Sequence, residues 1–531
     1  MCDQTLCNQK GSVSSRNSEA ASELPNKDTL AHDHDDWLSS NASNVTPSTN
    51  TGVLIVDWDG PDDPSNPKNW SFKKKWGATA IVSAFAFVSP VSSSMVAPVS
   101  NQIAAEFAIT SEPVVAITVT AFVLAQGRTH LLVNRLITLM SSRVLPVANV
   151  WYLAWNLGCG FARNTEELIA FRFLSGLGGS AALSICGGVI SDTWLPEQRG
   201  MAMGLYTLAP FLGPVVGPMA GSWIAEKSTW QWVFWSTSIF DGFVQLLGFL
   251  YLNETYAPVL LERKAKMIRK VLSDTEKGCQ LQEVITIYTS ADRHWKVLFK
   301  KALTRPFVFF REWIIQILGL YTMFVYGLLY LFLNTLPTIF REVYHERPGI
   351  AGLNYIALGI GITGASQTSA AVTDKLYARL KAKYGTGKPE FRMLALYPSG
   401  ILIPLGLLIT GWTVENKAHW IGADVGLTLV GAGVILVFQG IQTYIIDSYS
   451  LHSASALAAV YVLRSIAGFG FPIFAPELYK SLGYGLGNTI LAAVAFVIGV
   501  PAPILLWKFG ERIRNASFYA VKTPPLTGGL C

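Results

Sequence analysis

The chain alternates between long stretches almost free of charge and short ones crowded with it. Twelve apolar stretches stand near residues 77–99, 113–134, 145–162, 168–191, 200–225, 232–252, 310–336, 350–371, 393–412, 420–446, 455–476 and 484–507. Each is close to the roughly 17–25 residues that a helix needs to cross about 30 Å of hydrocarbon. Lipid offers no partner to a free backbone N–H or C=O, so repeated spans of this length predict a helix bundle. The pattern predicts an all-α polytopic membrane protein with two groups of six helices. Its expected domains are a polar N-terminal region (1–76), a first bundle (77–252), a hydrophilic loop (253–309), a second bundle (310–507) and a tail (508–531).

Composition agrees with the pattern: 51% of the 531 residues are hydrophobic and 14% charged, against about 25% charged in ordinary globular chains. The polar first 52 residues read as disordered, and no cleavable leader precedes the first span, which is expected to act as an uncleaved signal. The net charge of +6 reads as loop charge rather than as a nucleic-acid footprint. Eleven Lys or Arg lie between Arg263 and Arg305, and further clusters sit at Lys73–Lys75, Lys375–Arg392 and Lys508–Arg514. The alternate loops carry few, among them Arg163, Lys227, Arg341, Arg347, Lys417 and Lys480. This asymmetry places both termini in the cytosol. The triplets at Asn41 and Asn44, cytosolic on that topology, read as accidental glycosylation sequons. Cys159 and Cys186 fall in apolar spans, and Cys2, Cys7, Cys279 and Cys531 in polar segments, which is no disulfide framework.

No P-loop, metal-spaced Cys/His cluster or nucleophile elbow stands out, so neither an enzyme activity nor a cofactor or metal is expected. Uphill transport would then need an ion gradient or a partner subunit. Three intramembrane features remain. Arg172, in LIAFRFLSGLGGSAALSICGG, is a buried cation that faces a cavity or partner, or else snorkels to the interface; Gly176, Gly178 and Gly179 beside it permit close helix approach. Gly204, Gly213, Pro214, Gly217, Pro218 and Gly221 recur mainly at intervals of four along the fifth span. They thin and soften one helix face. Asp241 in the sixth span is either a proton or cation site or a helix-to-helix hydrogen bond. Asp447 ends the tenth span and reads as a gate or cap, Arg464 in the eleventh is a candidate partner for a carboxylate that the sequence does not identify, and Arg143 and Asp374 join them as candidate gating residues.

These features resemble the major facilitator superfamily. Leu168-x-x-x-Arg172 with Gly176 is similar to its fourth-helix motif, and Gly204 through Gly221 to the fifth-helix motif of its drug:proton antiporters. The stretches 57–70 (DWDGPDDPSNPKNW), 191–200, 383–392, 442–449 and 464–488 resemble the fungal twelve-span branch. The resemblance covers about residues 57 to 510. It implies two six-helix bundles around a central cavity with nested inverted repeats, a family property that serves as a standard example of such repeats. It also implies export of a small organic compound in exchange for protons, with Arg172 in proton coupling and the Gly-Pro helix controlling leak and direction. A small-molecule substrate, protons and the bilayer are the expected partners, for a monomer in the plasma membrane. Mid-span aromatics (Trp235, Phe324, Tyr326, Tyr355) are candidates for cavity walls, although lipid contact is the commoner fate of any one of them. With few intramembrane carboxylates, a neutral or weakly charged substrate is favoured over a polyamine.

One stretch departs from the family. After the second span the family carries Gly-x-x-x-Asp/Glu-x-x-Gly-Arg-Arg; here GRTHLLVNRLITLMSSRVLP (127–146) keeps only Arg143, and Arg128 and His130 intrude into the span. A scrambled island between matching flanks points to a reading-frame or exon-boundary error. The alternative is a chain with an impaired conformational cycle. An importer or facilitator of a nutrient, and a non-transporting membrane sensor, are therefore the competing functions.

Overall fold

The computed structural model describes residues 54–60, 62–139, 144–195, 198–275, 284–287, 308–385, 387–449, 453–517 and 519–520; within these, some side chains, including those of 128–139, are not described. Arg143, the sequons at Asn41 and Asn44, Cys2, Cys7, Cys279, Cys531 and most of the basic central loop lie outside the described residues.

A helix stands at every one of the twelve apolar stretches. They are α1 (Phe72–Ser94), α2 (Glu112–Leu139), α3 (Val144–Cys159), α4 (Thr165–Thr193), α5 (Arg199–Lys227) and α6 (Gln231–Tyr251), then α7 (Trp313–Glu342), α8 (Tyr355–Tyr384), α9 (Ser399–Glu415), α10 (Trp420–Ser448), α11 (Ser453–Gly499) and α12 (Pro501–Ala516). Among the described residues, nine helical stretches are long and apolar enough to cross a membrane. Three passes account for the rest. The described side chains of α2 stop at Gly127, α3 has 16 residues, and α11 holds the eleventh apolar stretch and, past a turn at Gly483, most of the twelfth, which runs on into α12.

That turn has a specific cause. Gly483 takes φ +73°, a region that costs any residue with a Cβ. Beyond it the chain restarts as a helix whose free N–H groups need acceptors. Glu415, at the end of α9, accepts from Tyr484 N at 2.7 Å and Gly485 N at 3.1 Å. The start of α4 is also capped: Asn164 Oδ1 accepts from Glu167 N, and Glu167 Oε2 reaches back to accept from Arg163 N, the residue before the cap.

The chain divides into two compact units, residues 1–55 with 269–285, and residues 56–268 with 286–531. The described part of the smaller unit includes the strand residues Leu54, Ile55, Val284 and Ile285, with Arg269 donating to the Val284 carbonyl. All twelve helices belong to the larger unit. Just before α1, Asp63 organises the stretch 57–70. Asp59 N and Ser65 N donate to its carboxylate and hold its pKa below the usual carboxylate range. Asn69 Nδ2 donates to the Asp63 carbonyl, and Lys264 Nζ reaches Asp57 O and Asp59 Oδ1. Below, the end of the bundle at which α1 begins is called proximal, and the other end distal.

Candidate functional site

The fifth-helix motif forms a contact face. A Cβ at Gly213 would stand 2.5 Å from Pro90 Cβ, one at Gly217 would stand 2.8 Å from Val91 O, and one at Gly221 would meet the Met95 carbonyl. These glycines let α5 lie directly on the backbone of α1 where Pro90 interrupts it, and Ser94 Oγ donates across to Gly213 O at 3.2 Å. The opposite side of α5 meets the second bundle: a Cβ at Gly359 would stand 2.8 Å from Val215 Cγ1, and Gly349 N donates to Glu226 Oε2 at 2.8 Å. Pro214 is buried and lines the inner cavity described below, and Pro218 is buried. Gly204 is different, being exposed with nothing near its Cβ position.

Arg172 is fully buried, so it does not snorkel. Its guanidinium donates to Ser92 O (3.2 Å), Ser93 O (3.4 Å) and Val119 O (2.9 Å), between the rings of Phe122 and Phe234. Ser92 and Ser93 belong to the last turn of α1, where carbonyls lack intrahelical partners and the helix dipole is negative. A cation docked there satisfies them without a carboxylate, and among the described residues Arg172 has no ion pair.

Asp241 is also fully buried. Asn149 Nδ2 donates to both its oxygens (3.0 and 3.1 Å) and to Gln245 Oε1 (3.0 Å). Two turns along α3, Asn156 accepts from Ser92 Oγ and donates to Thr237 and Ser238. A buried polar seam therefore ties α1, α3 and α6 together. Its two asparagines escaped the sequence reading, although amides seven residues apart in an apolar helix put both on one face.

In the second bundle Arg392 joins two of the expected residues, donating to Asp374 Oδ1 (3.0 Å) and Asp447 Oδ2 (3.1 Å) with its guanidinium over the Tyr377 ring. Nearby, Arg514 meets Glu390 at 2.9 Å with both side chains almost fully buried, and Lys388 meets Glu511 at 2.7 Å. These pairs tie the proximal ends of α8, α10 and α12 to the segment 388–396. Arg392 and Glu390 were visible as charges but not as hubs.

Two cavities lie between the bundles. An inner one of about 140 Å³ is lined by residues of α1, α2, α5, α7, α10 and α11, including Tyr206, Phe211, Tyr326, Phe438, Tyr461 and Arg464. A distal one of about 480 Å³ is lined by α2, α7, α11 and the segment after α1, with Glu112, Glu342 and Lys480 on its walls. One turn of α7 separates Tyr330, which lines the inner cavity, from Asn334, which lines the distal one. At that level Ser93 Oγ and Tyr330 Oη are 2.6 Å apart, joining the two bundles. Arg464 departs from expectation. It meets no carboxylate among the described residues, and its guanidinium lies over the rings of Tyr326 (4.5 Å) and Tyr461 (4.3 Å). Of the mid-span aromatics, Tyr326 lines the inner cavity, Phe324 packs on Phe471, Tyr355 donates to Leu333 O in the core, and Trp235 packs against Phe161 at a tilt and against Trp232 edge-on.

Comparison with known proteins fits this architecture. The sequence model of the Major Facilitator Superfamily matches residues 82–472. The efflux pump vrtL of Penicillium aethiopicum is 44% identical over 468 residues, 88% of this chain and 91% of that one. The efflux pump radE of Floropilus chiversii is 37% identical over 472 residues, 88% of this chain and 86% of that one. A crystal structure of a D-xylose-proton symporter superposes with a TM-score of 0.59 at 14% identity, covering 82% of this chain and 97% of the other. That last likeness concerns the fold alone.

Proposed function

The chain belongs to the major facilitator superfamily and is a multi-pass integral membrane transporter, and on that premise we propose that it exports a small organic compound by proton-coupled alternating access. The observation that carries the reading is the glycine face of α5. That helix lies backbone to backbone on α1 while its other side touches α8 and walls the inner cavity. A helix so placed seals the distal half of the seam between bundles and must slide for the cavity to change sides. The relatives named as efflux pumps support the outward direction.

Asp241 is the group we assign to proton binding. Its partners are neutral amides, so it can gain or lose a proton without breaking an ion pair, at a depth where a fixed charge is costly. Arg172 acts differently from a carrier, because a guanidinium stays charged in proteins; it holds the end of α1 against α2 and α4. By loop charge both termini face the cytosol, and the plasma membrane is the expected location.

The test is efflux of labelled lipophilic compounds from cells expressing the chain, with and without an uncoupler, for wild type and Asp241→Asn. Expected is export that falls at least about tenfold under the uncoupler, with exchange down a gradient persisting in Asp241→Asn while uphill export is lost. Uphill export that survives the uncoupler would sink proton coupling, and uptake in place of efflux would favour a nutrient importer.

A further inference from the structure

Among the described residues, Arg172 has three backbone carbonyls as acceptors, Arg392 two carboxylates and Arg514 one. Arg464 makes no hydrogen bond and no ion pair among the described residues; its Nε, like that of Arg172, is buried without an acceptor, but Arg172 has its other nitrogens satisfied and Arg464 does not. Arg464 lines the inner cavity, and among the described residues no Asp or Glu lines it. Its guanidinium carbon lies over the rings of Tyr326 and Tyr461 at 4.5 and 4.3 Å. Cation–π contact of that kind stabilises the cation yet supplies no oxygen acceptor to its N–H groups, and a guanidinium edge matches an oxyanion two bonds at a time.

The rest of the wall has a complementary character. Phe211 of α5 and Phe438 of α10 lie nearly parallel with centroids 6.2 Å apart, and Tyr326 stands 5.8 Å from Phe438. Gln126 and Gln442 add amides at the edge of this aromatic space. We propose that Arg464 is an anion-binding group and that the transported compound is an aromatic organic acid. Its carboxylate or ionised hydroxyl pairs with the guanidinium edge, and its ring system lies among Phe211, Tyr326 and Phe438. This rests on the export reading for what happens next, but the site stands on its own geometry. At about 140 Å³ the cavity is smaller than the roughly 300–1,000 Å³ of common ligand sites. A ring system therefore enters as the bundles part, and Arg464 is where its charged end docks. The sequence favoured a neutral or weakly charged substrate because it counted few carboxylates; the cavity chemistry refines that to an anion.

The experiment uses the purified full chain in lipid nanodiscs and three matched probes: naphthoate, naphthamide and naphthylmethylammonium. Naphthoate is expected to bind about tenfold tighter than naphthamide, as befits a charge-assisted pair, with the ammonium weakest. Arg464→Gln should reduce the acid's preference to within about twofold, with folding of the variant read from its monodisperse elution and retained helical circular dichroism; Arg464→Lys should keep an intermediate preference. Equal binding of acid and amide by wild type, an acid preference that survives Arg464→Gln, or no binding of naphthoate overturns the proposal. Efflux assays on the same variants separate the two readings. An acid preference lost in Arg464→Gln without any efflux overturns export and leaves the anion site. Efflux of neutral compounds that ignores Arg464→Gln, with no acid preference, overturns the anion site and leaves export.

Discussion

Among the described residues, the two bundles satisfy several of their charged groups at different depths. In the first, among the described residues, Arg172, Asp241, Asn149 and Asn156 lie inside the spans and are satisfied by backbone carbonyls, amides and hydroxyls. In the second, the charged pairs gather at one end, where Arg392 bridges Asp374 and Asp447 and Arg514 holds Glu390. Neutral partners at depth leave a carboxylate free to change charge. Ion pairs at a helix end fix geometry and resist that change. On the proposed export reading, the first bundle is the half that would respond to protons and the second the half that would hold still.

Breaking the buried pair should have the largest effect. Glu390→Ala leaves Arg514 charged and buried, and removal of one partner from such a pair costs about 3–5 kcal/mol; the thermal inactivation midpoint in detergent should fall by many degrees, and the double replacement Glu390→Leu with Arg514→Leu should restore much of it. Next comes the α1–α5 contact. Gly217→Val forces a side chain onto Val91 O and Ser94, an overpacking worth about 1–3 kcal/mol, and it should stop export with surface expression retained, whereas Gly204→Val, with open space around it, should leave both intact. Gly483→Ala should cost about 1–3 kcal/mol through its positive φ, read as a lower midpoint without loss of coupling. The smallest effect is expected of Asp374→Ala. That carboxylate is 77% exposed, and screened surface pairs contribute about 0–1 kcal/mol. A loss of stability there as large as in Glu390→Ala would overturn the distinction between buried and screened pairs in this half.

Asp63 sharpens the picture from outside the spans. Its carboxyl is held below the usual range by the N–H groups of Asp59 and Ser65. A depressed folded value means that this contribution is full above the unfolded carboxylate range and is lost as pH falls through the folded value. Acid should therefore loosen the stretch before α1.

Sequence alone determined the class, the number of passes and the positions of the helices, because lipid imposes length and apolarity locally. It also picked out Arg172, Asp241 and the Gly-Pro face, since a charge or a glycine repeat inside an apolar span is conspicuous without knowing its neighbours. It could not reveal who would meet them. Backbone carbonyls at the end of α1 carry no side-chain signature, so the partners of Arg172 were invisible, and Arg464 suggested a carboxylate where folding delivered two tyrosine rings and an unshared edge. Arg392 looked like one more loop charge until α8 and α10 brought Asp374 and Asp447 to it from 18 and 55 residues away. Burial is written into each segment, but pairing depends on how segments far apart in the chain come together, and only the tertiary structure decides that.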